Sequence, residues 1–106
     1  MNSEIEQVLT DRFTRAIKRA LKPCPLIGPK WFHYYPGGKP ADFVFSGVGK
    51  LAKATGQKPR RITDLIMRNL NFQGVGFTVR DVKVSRSGRI SVFINKPGGG
   101  DSVGEA

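Results

Sequence analysis

The chain has 106 residues, 39 % of them hydrophobic, and carries 18 Lys and Arg against 8 Asp and Glu, for a net charge of +10. That length fits one domain with one modest core and excludes a two-domain enzyme with separate nucleotide and substrate halves. No apolar run approaches the roughly 20 residues of a membrane helix, the polar "MNSEIEQV" start lacks the build of a signal peptide, and the single Cys24 leaves no intrachain disulfide, so the expectation is a cytoplasmic protein (or one of an organelle stroma or matrix) without membrane insertion.

The first expected element is a helix. Ser3 followed by Glu6 reads as a capping box, and Ile5, Val8, Leu9, Phe13, Ala16, Ile17, Ala20 and Leu21 recur at helical spacing along one stripe. Asp11 is placed to pair with Arg15, and Lys18, Arg19 and Lys22 suit the negative end of the helix. Pro23 and Pro25 stop it near Leu21. The Pro- and Gly-rich stretch 23–41 follows, in which "KWFHYY" reads as a short strand. "DFVFSGVGKLAKATG" opens a second helix with Ser46 as N-cap, Val48, Leu51 and Ala52 on its buried face, and Gly56 as its stop. Pro59 begins a third helix, with Ile62, Leu65, Ile66, Asn69 and Leu70 at i, i+3, i+4, i+7 spacing.

Beyond Gly76 the period changes to two. "FTVRDVKV" is a strand with a bulge at Arg80 and Asp81, "SRSG" is a turn, and "RISVFIN" alternates Ile90, Val92 and Ile94 with Arg89, Ser91 and Phe93, which makes a hairpin. The tail 97–106 has no core-forming pattern and is expected to be disordered. The fold class is therefore α+β, a small antiparallel sheet packed with three helices in the order α-β-α-α-β-β, built from residues 1–96.

Charge is unevenly spread along this order. Residues 1–11 hold three acids and no base, whereas residues 12–61 hold twelve bases and one acid, Asp42. A field of that sign attracts polyanions, with nucleic acid first and acidic protein second. The "SGVGKLAK" stretch is not a nucleotide loop: Val44 stands where the phosphate-loop motif needs its first Gly, and Leu51 where it needs Ser or Thr. Cys24 and His33 are the only residues of their kinds, so neither a nucleophile–base pair nor a metal-ligand set is supported. The expectation is no enzyme and no cofactor. Lys58, Arg60 and Arg61 cluster at a helix start whose free N–H groups favour phosphate, and Tyr34 and Tyr35 offer rings for stacking among Lys30 and Lys39. Trp31 is read as core.

The run Asp42-Phe43, Gly47 to Gly49, Leu51-Ala52-Lys53, Gly56, Pro59-Arg60 and Ile62 to Leu70 resembles the amino-terminal additional domain of arginyl-tRNA synthetases, and "VKVSRSGRISVFI" continues the likeness. The resemblance covers roughly residues 3–95. It implies a non-catalytic domain that docks on the D-loop side of the tRNA elbow, here without catalytic or anticodon-binding parts. After the hairpin Gly the family carries an aromatic residue, an apolar one, then Asn, and the matching positions here are Arg89, Ile90 and Ser91. That exchange implies a shift from reading a base toward holding backbone or shape. The expected RNA-binding residues are Lys50, Lys53, Lys58, Arg60, Arg61, Arg86, Arg89, Ser91, Tyr34 and Tyr35, and the expected partner is structured RNA, tRNA first. The alternative is an adaptor that turns the same domain toward an acidic protein surface or a larger ribonucleoprotein assembly.

Overall fold

The computed structural model describes residues 2–95; the segment 97–106, expected to be disordered, lies outside the described residues. In chain order come α1 (Asn2–Ala20), a 3-10 turn (Pro29–Trp31), β1 (Phe32–Tyr34), β2 (Phe43–Phe45), α2 (Val48–Thr55), α3 (Pro59–Asn69), β3 (Thr78–Val84) and β4 (Ile90–Asn95). The fold is α+β as expected, with three helices and an antiparallel sheet of order β1-β2-β4-β3.

Three local readings need correction. Phe43–Phe45 is a strand of its own and not the approach to α2: it lies between β1 and β4, pairing Phe43 with Tyr34 and Val92, and Phe45 with Phe32 and Ile90. All three of its residues are buried between the neighbouring strands, so the strand shows no alternation. Ser46 is not the N-cap of α2. Gly47 takes that position, and the Ser46 hydroxyl turns to β1, donating to the Trp31 carbonyl at 3.2 Å and meeting His33 Nε2 at 3.3 Å. At the amino terminus α1 already includes Ser3, so that residue lies within the helix and not at its cap. The remaining boundaries stand: Gly56 closes α2 at φ 68°, Pro59 opens α3, and the pairing of β3 with β4 slips between Val79 and Asp81, leaving Arg80 as the bulge.

The core is aromatic at its centre. Phe13 of α1 lies 5.5 Å from the Phe45 ring and 5.6 Å from the Phe43 ring, while Phe32 of β1 meets Phe45 in a tilted pair at 5.2 Å. Leu9, Ala16 and Ile17 of α1, Val48 and Leu51 of α2, Ile62 and Ile66 of α3, and Ile90, Val92 and Ile94 of β4 complete it. Trp31 belongs to this assembly as expected. Its ring packs edge-on to Phe45 and lies so close to the backbones of Gly28 and Gly47 that a Cβ at either would collide with it. All three helices contribute to the same cluster, on one face of the sheet. The other face carries no helix among the described residues.

Candidate nucleic-acid interface

Strand alternation decides what the uncovered face displays. Since Phe32 and Tyr34 pack toward the core, His33 points outward, and Tyr35 follows it with ring centroids 6.5 Å apart. On β4 the buried Ile90, Val92 and Ile94 alternate with the half-buried Ser91 and Phe93. Register then sets a row His33–Val44–Ser91–Lys83 across all four strands. Beside it, Phe93 has two cations over its ring, Lys83 Nζ at 5.4 Å and the Arg80 guanidinium at 5.6 Å from the centroid. Asp81 pairs with Phe93 across β3 and β4 and spends one oxygen on the Val82 N–H at 2.8 Å. Arg89 precedes the buried Ile90 and is exposed on the same outer side.

The expected residues thus divide between two regions. Arg89, Ser91 and Tyr35 share the open sheet face. Arg60 and Arg86, far apart in sequence, come together across a cleft of about 510 Å³ between α3 and the β3–β4 turn, with Thr63, Asp64, Met67 and Val84 also lining it. Lys58, Arg60, Arg61 and Arg68 line a second, shallower depression along α3, where Arg61 is steadied by a bond from Nε to Gln57 Oε1 at 3.1 Å. Lys50 and Lys53 are exposed on α2, on the helical side of the sheet. Among the described residues none of Lys50, Lys53, Lys58, Arg60, Arg86 and Arg89 is in a salt bridge; the Asp11–Arg15 pair foreseen on α1 does form, at 3.1 Å.

Tyr34 sits differently from Tyr35. Its ring packs against the core and its hydroxyl is sealed from solvent, with no hydrogen-bond partner among the described residues. Burial pushes its phenol above the ordinary value of 10.0, helped by the negative charges of Asp42 and Glu6. Tyr35, by contrast, is half-buried and lies outside the core cluster. Sequence reading did not single out Phe93, Arg80 and Lys83, which the open face brings together. The signal was present in "RISVFIN", where an aromatic residue occupies the polar phase of an alternating strand.

Cys24 packs against the core cluster and donates Sγ–H to the Pro25 carbonyl at 3.2 Å, whereas His33 is exposed on the opposite side of the sheet. Among the described residues no three His, Cys, Asp or Glu side chains gather in a way that could hold a metal ion, and no helix is long and apolar enough to cross a membrane. Comparison with known proteins returns no matching family model and no matching curated relative.

Proposed function

We propose that the protein is a non-catalytic RNA-binding module whose partner is a structured RNA, tRNA first. The observation that carries this reading is the uncovered sheet face, where Arg80 and Lys83 stand over the Phe93 ring, flanked by Ser91 on β4, by Arg89 just before it, and by His33 and Tyr35 beyond β2. An antiparallel sheet face that presents aromatic rings among cations suits unpaired bases, which stack on the rings while the cations meet the phosphates. Arg60, Arg61, Lys58 and Arg86 extend the positive surface around the hairpin end. The likeness to the synthetase domain points to the same partner. A gel shift with total tRNA at low salt tests the reading: a shift that fades steeply as salt rises is expected, and no shift overturns it.

One feature favours the second reading, an adaptor for a protein partner. A groove of about 930 Å³ runs between α1 and the segment before β1, lined by Glu6, Asp11, Leu26, Ile27 and Phe32 among others, and Leu26 stands 92 % exposed at its edge. Largely apolar, with Glu6, Asp11 and Lys18 at its polar positions, it suits an amphipathic protein segment and not a phosphate. Affinity purification with nuclease treatment separates the readings, since a stoichiometric protein partner that survives nuclease supports the adaptor.

A further inference from the structure

We propose that the cleft between the start of α3 and the β3–β4 turn is a phosphate site that holds one backbone phosphate of the RNA, with Arg60 and Arg86 as its charges and the hydroxyl of the nearly buried Thr63 as its donor. The proposal rests on the RNA reading above and adds a defined anchoring point to it.

Three observations converge on this cleft. The first is charge brought together by folding: Arg60 from α3 and Arg86 from the hairpin turn face one cavity of about 510 Å³, and neither is in a salt bridge among the described residues. The second is an unneutralised helix start. The N-cap position of α3 is Lys58, which makes no side-chain capping bond, and the first turn holds no acid. Cations at that end oppose the helix dipole and weaken the fold unless an anion meets them.

The third is Thr63. It is 7 % exposed and lines the cleft, yet its hydroxyl makes no hydrogen bond among the described residues. Helical threonines ordinarily bond back to the carbonyl one turn earlier, as Thr55 does in α2 to Leu51 at 2.8 Å. The unpaired hydroxyl of Thr63 is not sealed either; among the described residues the polar side-chain atom that is sealed and unpaired is the Tyr34 hydroxyl. A donor held ready in a nearly buried side chain, beside two free guanidinium groups, is what an oxyanion requires. Ser85 lines the same cleft, but its hydroxyl is engaged by Ser87 Oγ at 2.9 Å and by the Arg89 N–H at 3.0 Å. Asp64 also lines the cleft and opposes an anion, which makes it a control of known sign.

The test is a titration of the ¹⁵N-labelled full chain with inorganic phosphate at constant ionic strength, followed by backbone amide shifts. Shifts centred on Arg60, Arg61, Thr63 and Arg86 are expected. Thr63→Val should lower phosphate affinity by about tenfold, the size of one hydrogen bond to a charged group, without lowering the unfolding midpoint, because the lost hydroxyl had no partner. Asp64→Asn should tighten binding. With tRNA, Arg60→Ala/Arg86→Ala should flatten the slope of log affinity against log salt by roughly 0.7–0.9, the equivalent of one phosphate. If tRNA binds but phosphate shifts scatter and Thr63→Val binds phosphate as tightly as the parent, the site is overturned and the RNA reading stands. If phosphate localises to the cleft but tRNA does not bind, the RNA source is overturned; a serine-phosphorylated peptide that then shifts the same amides assigns the site to protein.

Discussion

The carboxylate of Asp42 accepts the Ile94 N–H at 2.8 Å, joining residues 52 positions apart. Asp42 precedes β2, and its backbone N–H already donates to the Val92 carbonyl at 3.0 Å while its carbonyl accepts from Tyr35 at 2.9 Å. The side chain therefore continues the β2–β4 ladder where the backbone of β2 has ended. At 4 % exposure this is a buried acid with a structural task, in a sequence otherwise starved of acids between residues 12 and 61.

Removing that carboxylate strands the Ile94 donor inside the protein. Asp42→Ala should cost about 2 kcal/mol, within the range for an orphaned buried donor, read as a lower urea midpoint with an unchanged slope. Asp42→Asn keeps an acceptor oxygen and should cost less. Equal stability of the alanine variant and the parent would show that the bond is not part of the sheet's support.

The two glycines of "SGVGKLAK" should respond in opposite ways to the same change. A Cβ at Gly47 would meet the Trp31 ring and approach Phe45 Cζ to 2.9 Å, whereas one at Gly49 meets nothing within 4 Å. Gly47→Ala should destabilise by about 1–3 kcal/mol, the usual range for overpacking. Gly49→Ala, on the exposed first turn of α2, should stabilise by roughly 0.5–1 kcal/mol through helix propensity. Thermal melts of the two single variants decide this, and a shift of both in one direction overturns it.

These glycines mark where sequence reading reached its limit. Local signals announced the helices, the Gly56 stop, the Pro59 start and the Arg80 bulge, because each depends on residues within a turn or two of itself. β2 was hidden because Phe43, Val44 and Phe45 are all buried, so the period-two pattern was absent. Ser46 looked like a cap because hydroxyls usually serve nearby N–H groups, yet its partner lies 15 residues earlier, at Trp31. The site divided in the same way. Single cations were legible one by one, but the meeting of Arg60 with Arg86 depends on the packing of the hairpin beside α3. The Thr63 hydroxyl left no trace in the sequence at all.

Tyr34 makes a prediction at high pH. Its phenol is raised above 10.0 by burial first and then by Asp42 and Glu6, so the folded state keeps this proton at pH values where the unfolded chain has lost it. The linkage makes stability fall as pH rises past 10, because unfolding then releases a proton. Tyr34→Phe should abolish that part of the alkaline loss. At neutral pH it should leave stability equal or up to about 1 kcal/mol higher, since the hydroxyl is sealed without a partner. Denaturant titrations of both proteins at pH 7 and above pH 10 check the sign, and a Tyr34→Phe variant as alkali-sensitive as the parent contradicts it.

RNA affinity should divide between ring and charge in a way that salt reveals. Phe93→Ala removes a stacking platform without changing charge, so it should lower tRNA affinity about tenfold, a cost within the roughly 1–3 kcal/mol measured per stacked base, and leave the salt slope unchanged. Lys83→Ala should weaken binding and flatten the slope, the mark of a phosphate contact. Lys50→Ala/Lys53→Ala lies on the helical side of the sheet, where charges act on an RNA seated on the open face only through the long-range field. At 0.15 M salt, with a screening length of about 8 Å, that variant should lose no more than about threefold. Circular dichroism melts keep folding losses apart from binding losses, which matters for Phe93 because it is half-buried. If the α2 pair cost more affinity than Phe93 and Lys83 together, the RNA would be seated on the helices, and the open sheet face would lose its role as the binding surface.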